Sequence, residues 1–518
     1  MGRLQRLLPF LDWLPGLGPR AIGKDAWVGL GGAVLALPQS IAYALIAGLP
    51  PQYGLYAAML PVAVACLWGS SRHMVGGPTA AISVVLYTTL APLAPPGSAQ
   101  YIEYVLLLTF LAGLFQWSLG ALRVGVLVNF VSHSVLLGFT LGAALVIALG
   151  QLPYLLGVAV HGRGSAMEAA RLLLARLGEC DPASLAIGLL GLAVSLLCRW
   201  LRPRWPALLL GLLVASLLAW ALPARFAGVA RVQAFSAALP PFSPLHFDAG
   251  AIAQLLPGAL ACGMLGLVTS LSIARALAGR SQQPLDSNRE VRAQGLSNLL
   301  GPWFSGSLSA GSFTRSGLNL DSGARSPLAG VFSAAWVAAL AWLGSRSLAQ
   351  IPLPAMAGGI LLIAWGLVDR PALRALWRGS RSEFAVMAAT AVATLLLPLQ
   401  NAIYAGVLAS LLVYLKRTSQ PRVQRWEGPG EEILRVEGSI FFGACDYLQR
   451  LIQRSSARRL VLDAQHVNFI DFAGAHMLQQ EARRLVGEGR HLVLRNARPR
   501  LRDELARQMG EGTALQVE

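Results

Sequence analysis

Long apolar stretches alternate with short polar connections rich in Gly and Pro as far as about position 415, where the pattern changes. A bilayer core takes about 20 helical residues, fewer where a helix stops partway across. Fourteen segments meet that measure: 27–45, 53–68, 78–90, 101–122, 126–149, 185–201 and 205–221, then 251–278, 291–304, 312–320, 328–343, 351–368, 384–398 and 402–415. They divide into two sevens, and the odd number per half gives the halves opposite topology.

The third and tenth segments are both short. Each follows a Gly/Ser/Pro-rich turn, Val75-Gly76-Gly77-Pro78-Thr79 in one and Ser309-Ala310-Gly311-Ser312-Phe313 in the other. Interrupted apolar segments at matching places in two halves point to an inverted-repeat transporter with its site near mid-membrane. Taken singly, either turn also reads as Gly and Pro kinking closely packed helices.

After Lys416 the period changes. Short β-runs at 432–437, 438–442, 459–464, 491–495 and 514–517 alternate with amphipathic helices near 446–454, 473–486 and 500–509. That alternation predicts a small α/β domain. The organisation expected is a cytoplasmic segment at 1–24, a transmembrane domain at 25–416 and a cytoplasmic domain at 417–518.

Composition agrees with a polytopic α-helical membrane protein and excludes an ordinary cytosolic enzyme. Hydrophobic residues make up 55% and charged residues 13%, against about 25% charged in soluble domains. The mean hydropathy is +0.56. Net charge is +17, and residues 1–416 hold 26 Lys/Arg against 12 Asp/Glu, while 417–518 hold 16 against 13. With the N-terminus inside, the inner loops carry fourteen arginines, including Arg370, Arg374, Arg378 and Arg381, and the outer loops six. That is the asymmetry of the positive-inside rule. It places both termini in the cytoplasm; a bacterial inner (plasma) membrane is the expected location. Positions 1–10 hold too short an apolar run for a cleavable signal, so the first span is expected to persist.

Little points to bond-making chemistry. Cys66, Cys180, Cys198, Cys262 and Cys445 show no paired or metal-ligand spacing and read as packing residues. No GxxxxGK[ST], HExxH or GxSxG is present. No metal, cofactor or nucleic-acid partner is expected; the bilayer and a small solute are.

One cation stands apart. Arg315 falls inside the tenth segment, where a charge costs about 2.5–3.5 kcal/mol on insertion scales. It reads either as half of a structural pair with Asp321 or as part of a binding site. For the second, a half-helix starting near Ser312 would aim its free N–H groups and positive dipole end at mid-membrane, and one starting near Thr79 would face it. Two helix ends and a guanidinium favour an anion, with hydroxyls of Thr79, Ser312 and Thr314 as further donors. None of the ten acids between 30 and 415 falls mid-segment, which disfavours cation symport through a buried carboxylate.

The residues that carry these features resemble the sulfate permease (SulP) family of anion transporters. Leu37-Pro38-Gln39-Ser40-Ile41-Ala42-Tyr43-Ala44, Gly48-Leu49-Pro50-Pro51, Gly69-Ser70-Ser71-Arg72-His73 and Gly77-Pro78 are similar to the family's signature region. Ser272-Ile273-Ala274-Arg275 and Ser312-Phe313-Thr314-Arg315-Ser316 resemble its eighth and tenth spans.

The resemblance implies a 7+7 inverted repeat, with a mobile core of spans 1–4 and 8–11 and a gate of spans 5–7 and 12–14. It implies an anion held between the third and tenth half-helices. Gln39, Tyr43, Thr79, Ala80, Ser312, Phe313, Thr314 and Arg315 would line that site. Thr269 stands where many bacterial relatives carry an acid, which favours exchange or uncoupled movement of a sulfate-, bicarbonate- or chloride-class anion by an elevator-type shift. An anion-gated channel or voltage-responsive protein is the other reading. The tail resembles a STAS domain, with Ala473 in place of the phosphorylated serine of STAS antagonists. A scaffold or homodimer contact is therefore expected of it, alongside contact through the membrane domain.

Overall fold

A computed structural model describes residues 8–123, 132–158, 166–202, 206–232, 239–348, 350–397, 399–428, 430–509 and 514–518. The chain forms two compact units, Met1–Val407 and Leu408–Glu518.

The first unit is helical. In chain order its helices are α1 (Pro19–Ile46), α2 (Pro51–Ala57), α3 (Leu60–Trp68), α4 (Ala80–Leu90), α5 (Ala99–Ala121) and α6 (His133–Leu156). They continue as α7 (Ala166–Ala175), α8 (Pro182–Leu201), α9 (Ala207–Ala221), α10 (Pro223–Phe226), α11 (Ala249–Ser281) and α12 (Ser287–Leu300). The series ends with α13 (Phe313–Asp321), α14 (Leu328–Leu348), α15 (Leu353–Leu367), α16 (Arg370–Gly379) and α17 (Arg381–Leu396), and α18 (Leu399–Thr418) begins in this unit and ends in the second. Among the described residues, six helical stretches are long and apolar enough to cross a membrane: α1, α5, α6, α8, α11 and the stretch Leu353–Gly379. The shorter α4 and α13 begin where the sequence placed the two interruptions.

Local chemistry explains the helix starts. Pro19, Pro51 and Pro182 sit in first turns, where a missing N–H costs no helical bond. Ser98, Ser132, Asp181 and Asp248 accept N–H bonds from the first turns of α5, α6, α8 and α11.

The helices sort into two packing groups. In one, α1 lies against α14 and α13, α5 against α12 and α11, and α3 against α12. In the other, α6 packs on α17 and α15, and α8 on α9 and α15. Contacts between the groups are sparser, as between α4 and α6 or α1 and α9.

Three expectations shift. The segment at 53–68 is two helices, α2 and α3, broken at Ala58 and Met59. The first helix starts at Pro19 rather than 27, so the supposed cytoplasmic segment is partly helical and Asp25 lies inside α1, fully buried. Its carboxylate accepts from Arg325 N at 2.7 Å and Ser326 Oγ at 2.6 Å, tying the start of α1 to the entry of α14. The expected fifth segment begins at 126, outside the described residues, and its described helix starts at His133, which is exposed.

The second unit carries a sheet of order β1-β2-β3-β5-β6, with β4 paired to β2. Its strands are β1 (Arg422–Gly428), β2 (Glu431–Ile440), β3 (Arg459–Asp463), β4 (Val467–Ile470), β5 (His491–Arg495) and β6 (Gln516–Val517). Only β1–β2 is antiparallel; the other pairings are parallel. Helices α19 (Phe442–Gln453), α20 (Phe472–Gly487) and α21 (Pro499–Met509) complete it. Leu434, Val436, Leu448, Leu460, Leu478 and Leu492 belong to its core. The runs expected at 432–437 and 438–442 fuse into β2, while β1 and β4 were not anticipated.

Candidate functional site

The site forms where the two interrupted segments cross. Residues 75–78 and 310–312 run as extended backbone side by side: Ala310 N donates to Gly77 O at 2.9 Å and Ser312 N to Val75 O at 3.1 Å. From this crossing α4 leaves at Ala80 and α13 at Phe313. Thr79 and Ser312 occupy the N-cap positions in extended conformation, and neither side chain caps its own helix. First-turn N–H groups of both helices are thus left without that acceptor, the condition for holding an anion at a helix start.

Arg315 sits at the crossing, 2% exposed. Its Nη2 donates to Pro78 O at 2.6 Å, and its Nε has no partner among the described residues. Gly77 lies beneath the guanidinium with φ +131°, and a Cβ there would overlap it. Both the conformation and the clearance require glycine. Tyr43 is buried on α1. A small cavity beside the guanidinium is lined by Gly29, Gly32, Asn319 and Ser333.

Asp321 is not the partner of Arg315. Its carboxylate pairs with Arg280 at 2.7 Å on an exposed surface. Glu290 is buried, but it accepts the N–H groups of Ser70 and Ser71 at 2.7 and 2.9 Å and holds the connection after α3. His73, in that same connection, has its pKa lowered by burial and then by Arg72, with Asp25 opposing.

The structure gathers most of the residues singled out by sequence. Thr79, Ala80, Ser312, Phe313, Thr314 and Arg315 flank the crossing, and Ser312 Oγ lies 3.2 Å from Thr314 Oγ1. Phe313 and Thr314 are exposed. Gln39 is buried one turn before Tyr43 on α1, and its Oε1 has no partner among the described residues. Thr269 is half-buried, and its hydroxyl donates to Leu265 O at 2.8 Å within α11. Its neighbour Ser270 is the residue that reaches the turn, accepting from Gly311 N at 2.8 Å.

Ser270 belongs to a buried polar network that sequence reading missed. Asn298 accepts from Ser309 N at 2.9 Å and donates to Ser309 O at 2.9 Å and to Gln116 Oε1 at 2.8 Å. Gln294 donates to Ser309 O at 2.6 Å, and Gln116 to Gly263 O at 2.9 Å. On the opposite side Ser316 Oγ accepts from Val75 N at 2.9 Å, and Asn319 donates to His73 O at 3.1 Å. These side chains satisfy buried backbone groups of the irregular turns, which lack helical partners. Amides inside apolar helices are costly unless paired, and that was the available signal.

Comparison with known proteins follows the same division. The sulfate permease family profile matches residues 22–390, and a STAS domain profile matches 421–510. A sodium-independent sulfate anion transporter of Bos taurus is 31% identical over 512 residues, covering 90% of this chain and 83% of its own. A putative sulfate transporter of Bacillus subtilis (strain 168) is 26% identical, covering 88% of each chain. Among solved structures, the murine Solute Carrier 26 family member A9 anion transporter in the inward-facing state superposes with a TM-score of 0.89 at 21% identity, over 99% of this chain and 92% of its own. The transmembrane domain of a cyanobacterial bicarbonate transporter does so at 0.68 and 24% identity, over 76% of this chain and 98% of its own.

Proposed function

The chain belongs to the sulfate permease family, and from that premise we propose that it is a secondary transporter of small inorganic anions of the sulfate, bicarbonate or chloride class. The observation that carries this reading is Arg315: a buried guanidinium between two helix starts, with no carboxylate partner among the described residues. Its field and the first-turn N–H groups of α4 and α13 attract an anion, and hydroxyls of Thr79, Ser312 and Thr314 add donors. Gln39 and Tyr43 of α1 line the same space, with Ala80 and Phe313 at the two helix starts and Thr269 on α11 nearby.

The mechanism proposed is an elevator-type shift of spans 1–4 and 8–11 against spans 5–7 and 12–14, in a fourteen-span 7+7 inverted repeat. The two packing groups support that division. An uncompensated guanidinium is costly in low dielectric, so an occupied core crosses more easily than an empty one. That favours exchange or uncoupled movement over carboxylate-mediated symport. The remaining assignments are a bacterial inner membrane, both termini cytoplasmic, domain limits at 25–416 and 417–518, and a homodimer joined through STAS and membrane domains.

The test is uptake of labelled sulfate, bicarbonate and chloride into proteoliposomes loaded with each unlabelled anion. Saturable uptake accelerated by an internal anion, and lost in Arg315→Ser, is the expected result. Equal uptake by that variant overturns the site, and a large non-saturating conductance overturns the carrier.

A further inference from the structure

A second concentration of positive charge lies away from the anion site, on α16. No residue of this helix is buried. At 100° per residue, Arg370, Arg374 and Arg378 fall within a sector about 80° wide, and all three are exposed. Ala372, Leu373 and Leu376 form the other side, half-buried, where α16 packs on α17 and α6. Arg381, also exposed, follows at the first position of the next helix.

These four guanidiniums have no acid partner among the described residues. Among the described residues of this unit, ion pairs join Arg176 to Glu179, His246 to Glu103 and Arg280 to Asp321. The adjacent acids are engaged: Asp369 accepts from Ala372 N at 3.0 Å, and Glu383 accepts from Ser134 Oγ at 3.1 Å. Two tryptophans border the ridge. Trp365 is 61% exposed with the Arg370 guanidinium 4.0 Å over its ring, and Trp377 is 66% exposed with its edge on Phe384 at 4.5 Å.

We propose that α16 lies in the headgroup plane of the inner leaflet and that Arg370, Arg374, Arg378 and Arg381 bind phosphodiesters of anionic phospholipids. A ten-residue helix is about 15 Å long, too short to cross a bilayer. A cationic ridge beside an apolar flank is the composition of an interfacial helix. Exposed tryptophans sit where acyl chains meet headgroups. Guanidiniums pair with phosphate oxygens bidentately, and an exposed ridge bordered by largely exposed indoles suits a lipid surface better than a soluble anion. Its inward orientation rests on the topology proposed above. Lipid binding does not require transport, so this proposal and the anion site fail separately.

The experiment titrates the purified full-length protein with phosphatidylglycerol or phosphatidylcholine, counting bound lipids by native mass spectrometry. Wild type is expected to bind phosphatidylglycerol more tightly. Arg374→Gln weakens it about fivefold, and Arg374→Gln/Arg378→Gln/Arg381→Gln weakens it further by a similar factor per charge. Arg199→Gln/Arg202→Gln, at the end of α8, leaves that class of binding intact. Equal phosphatidylglycerol affinity in wild type and both ridge variants overturns the proposal. So does equal affinity for phosphatidylcholine, or displacement of the lipid by millimolar inorganic phosphate.

Discussion

Arg315 Nη2 donates to the carbonyl of Pro78 at 2.6 Å, joining the starts of two half-helices that lie 237 positions apart in the chain. The bond uses one face of the guanidinium to fix the crossing and leaves Nε without a partner. Arg315→Ser is therefore expected to weaken anion binding by about 2 kcal/mol, roughly thirtyfold. Arg315→Lys keeps the charge but loses the planar fork, so it should retain part of the affinity. Calorimetric titration of the purified variants reads both.

Asp321 supplies the contrast. It pairs with Arg280 where both side chains are more than half exposed, a pair worth less than about 1 kcal/mol. Asp321→Asn should leave anion affinity and flux unchanged. A large loss of flux would show instead that Arg315 depends on this carboxylate.

Gly77 carries a backbone requirement. Its φ of +131° disfavours any side chain, and a Cβ would overlap Arg315. Gly77→Ala is expected to cost more than about 1 kcal/mol of stability and to displace the guanidinium, lowering both the thermal midpoint and anion affinity. Gly76→Ala, whose Cβ would lie 3.3 Å from Ala310 O, should be milder in both.

These contrasts show which parts of the site were legible in the linear order. Arg315 was, because a lone charge in an apolar segment is conspicuous, and so were the Gly-bearing turns before α4 and α13. Asn298 and Gln116 were not. They stand 182 positions apart, and nothing local in either helix announces the partner. Asp25 lies just ahead of the apolar run expected from 27 onward and drew no attention there, while its carboxylate is held by the N–H of Arg325, 300 positions away. In the tail, β1 escaped notice because its Arg-rich residues are mostly exposed and lack the alternation of a half-buried strand.

Asn298 should therefore matter without touching solute. Asn298→Leu leaves the N–H and C=O of Ser309 with fewer partners, at about 1–3 kcal/mol for each buried group left unpaired. The expected result is a lower thermal midpoint together with weaker anion binding, since the turn ahead of α13 loosens. Normal affinity at full stability would detach the network from the site.

The tail should respond to acid through Asp463 and Glu481. Burial pushes the Asp463 carboxyl up, but hydrogen bonds from Arg435, Gln465 N and Asn496 outweigh it and hold the group below its ordinary value. Glu481 behaves alike, with burial opposed by Gln449, Arg484 and Gln453. A carboxyl whose folded pKa is depressed contributes stability that is present above its unfolded value and lost as pH falls through the folded one. Urea unfolding of the tail, followed from pH 7 downward, should therefore show resistance declining below the ordinary carboxylate range. Asp463→Asn should be less stable than wild type at neutral pH and show a shallower decline. Identical pH profiles for the two proteins would mean that the Arg435–Asp463 contact at 2.8 Å contributes nothing to folding.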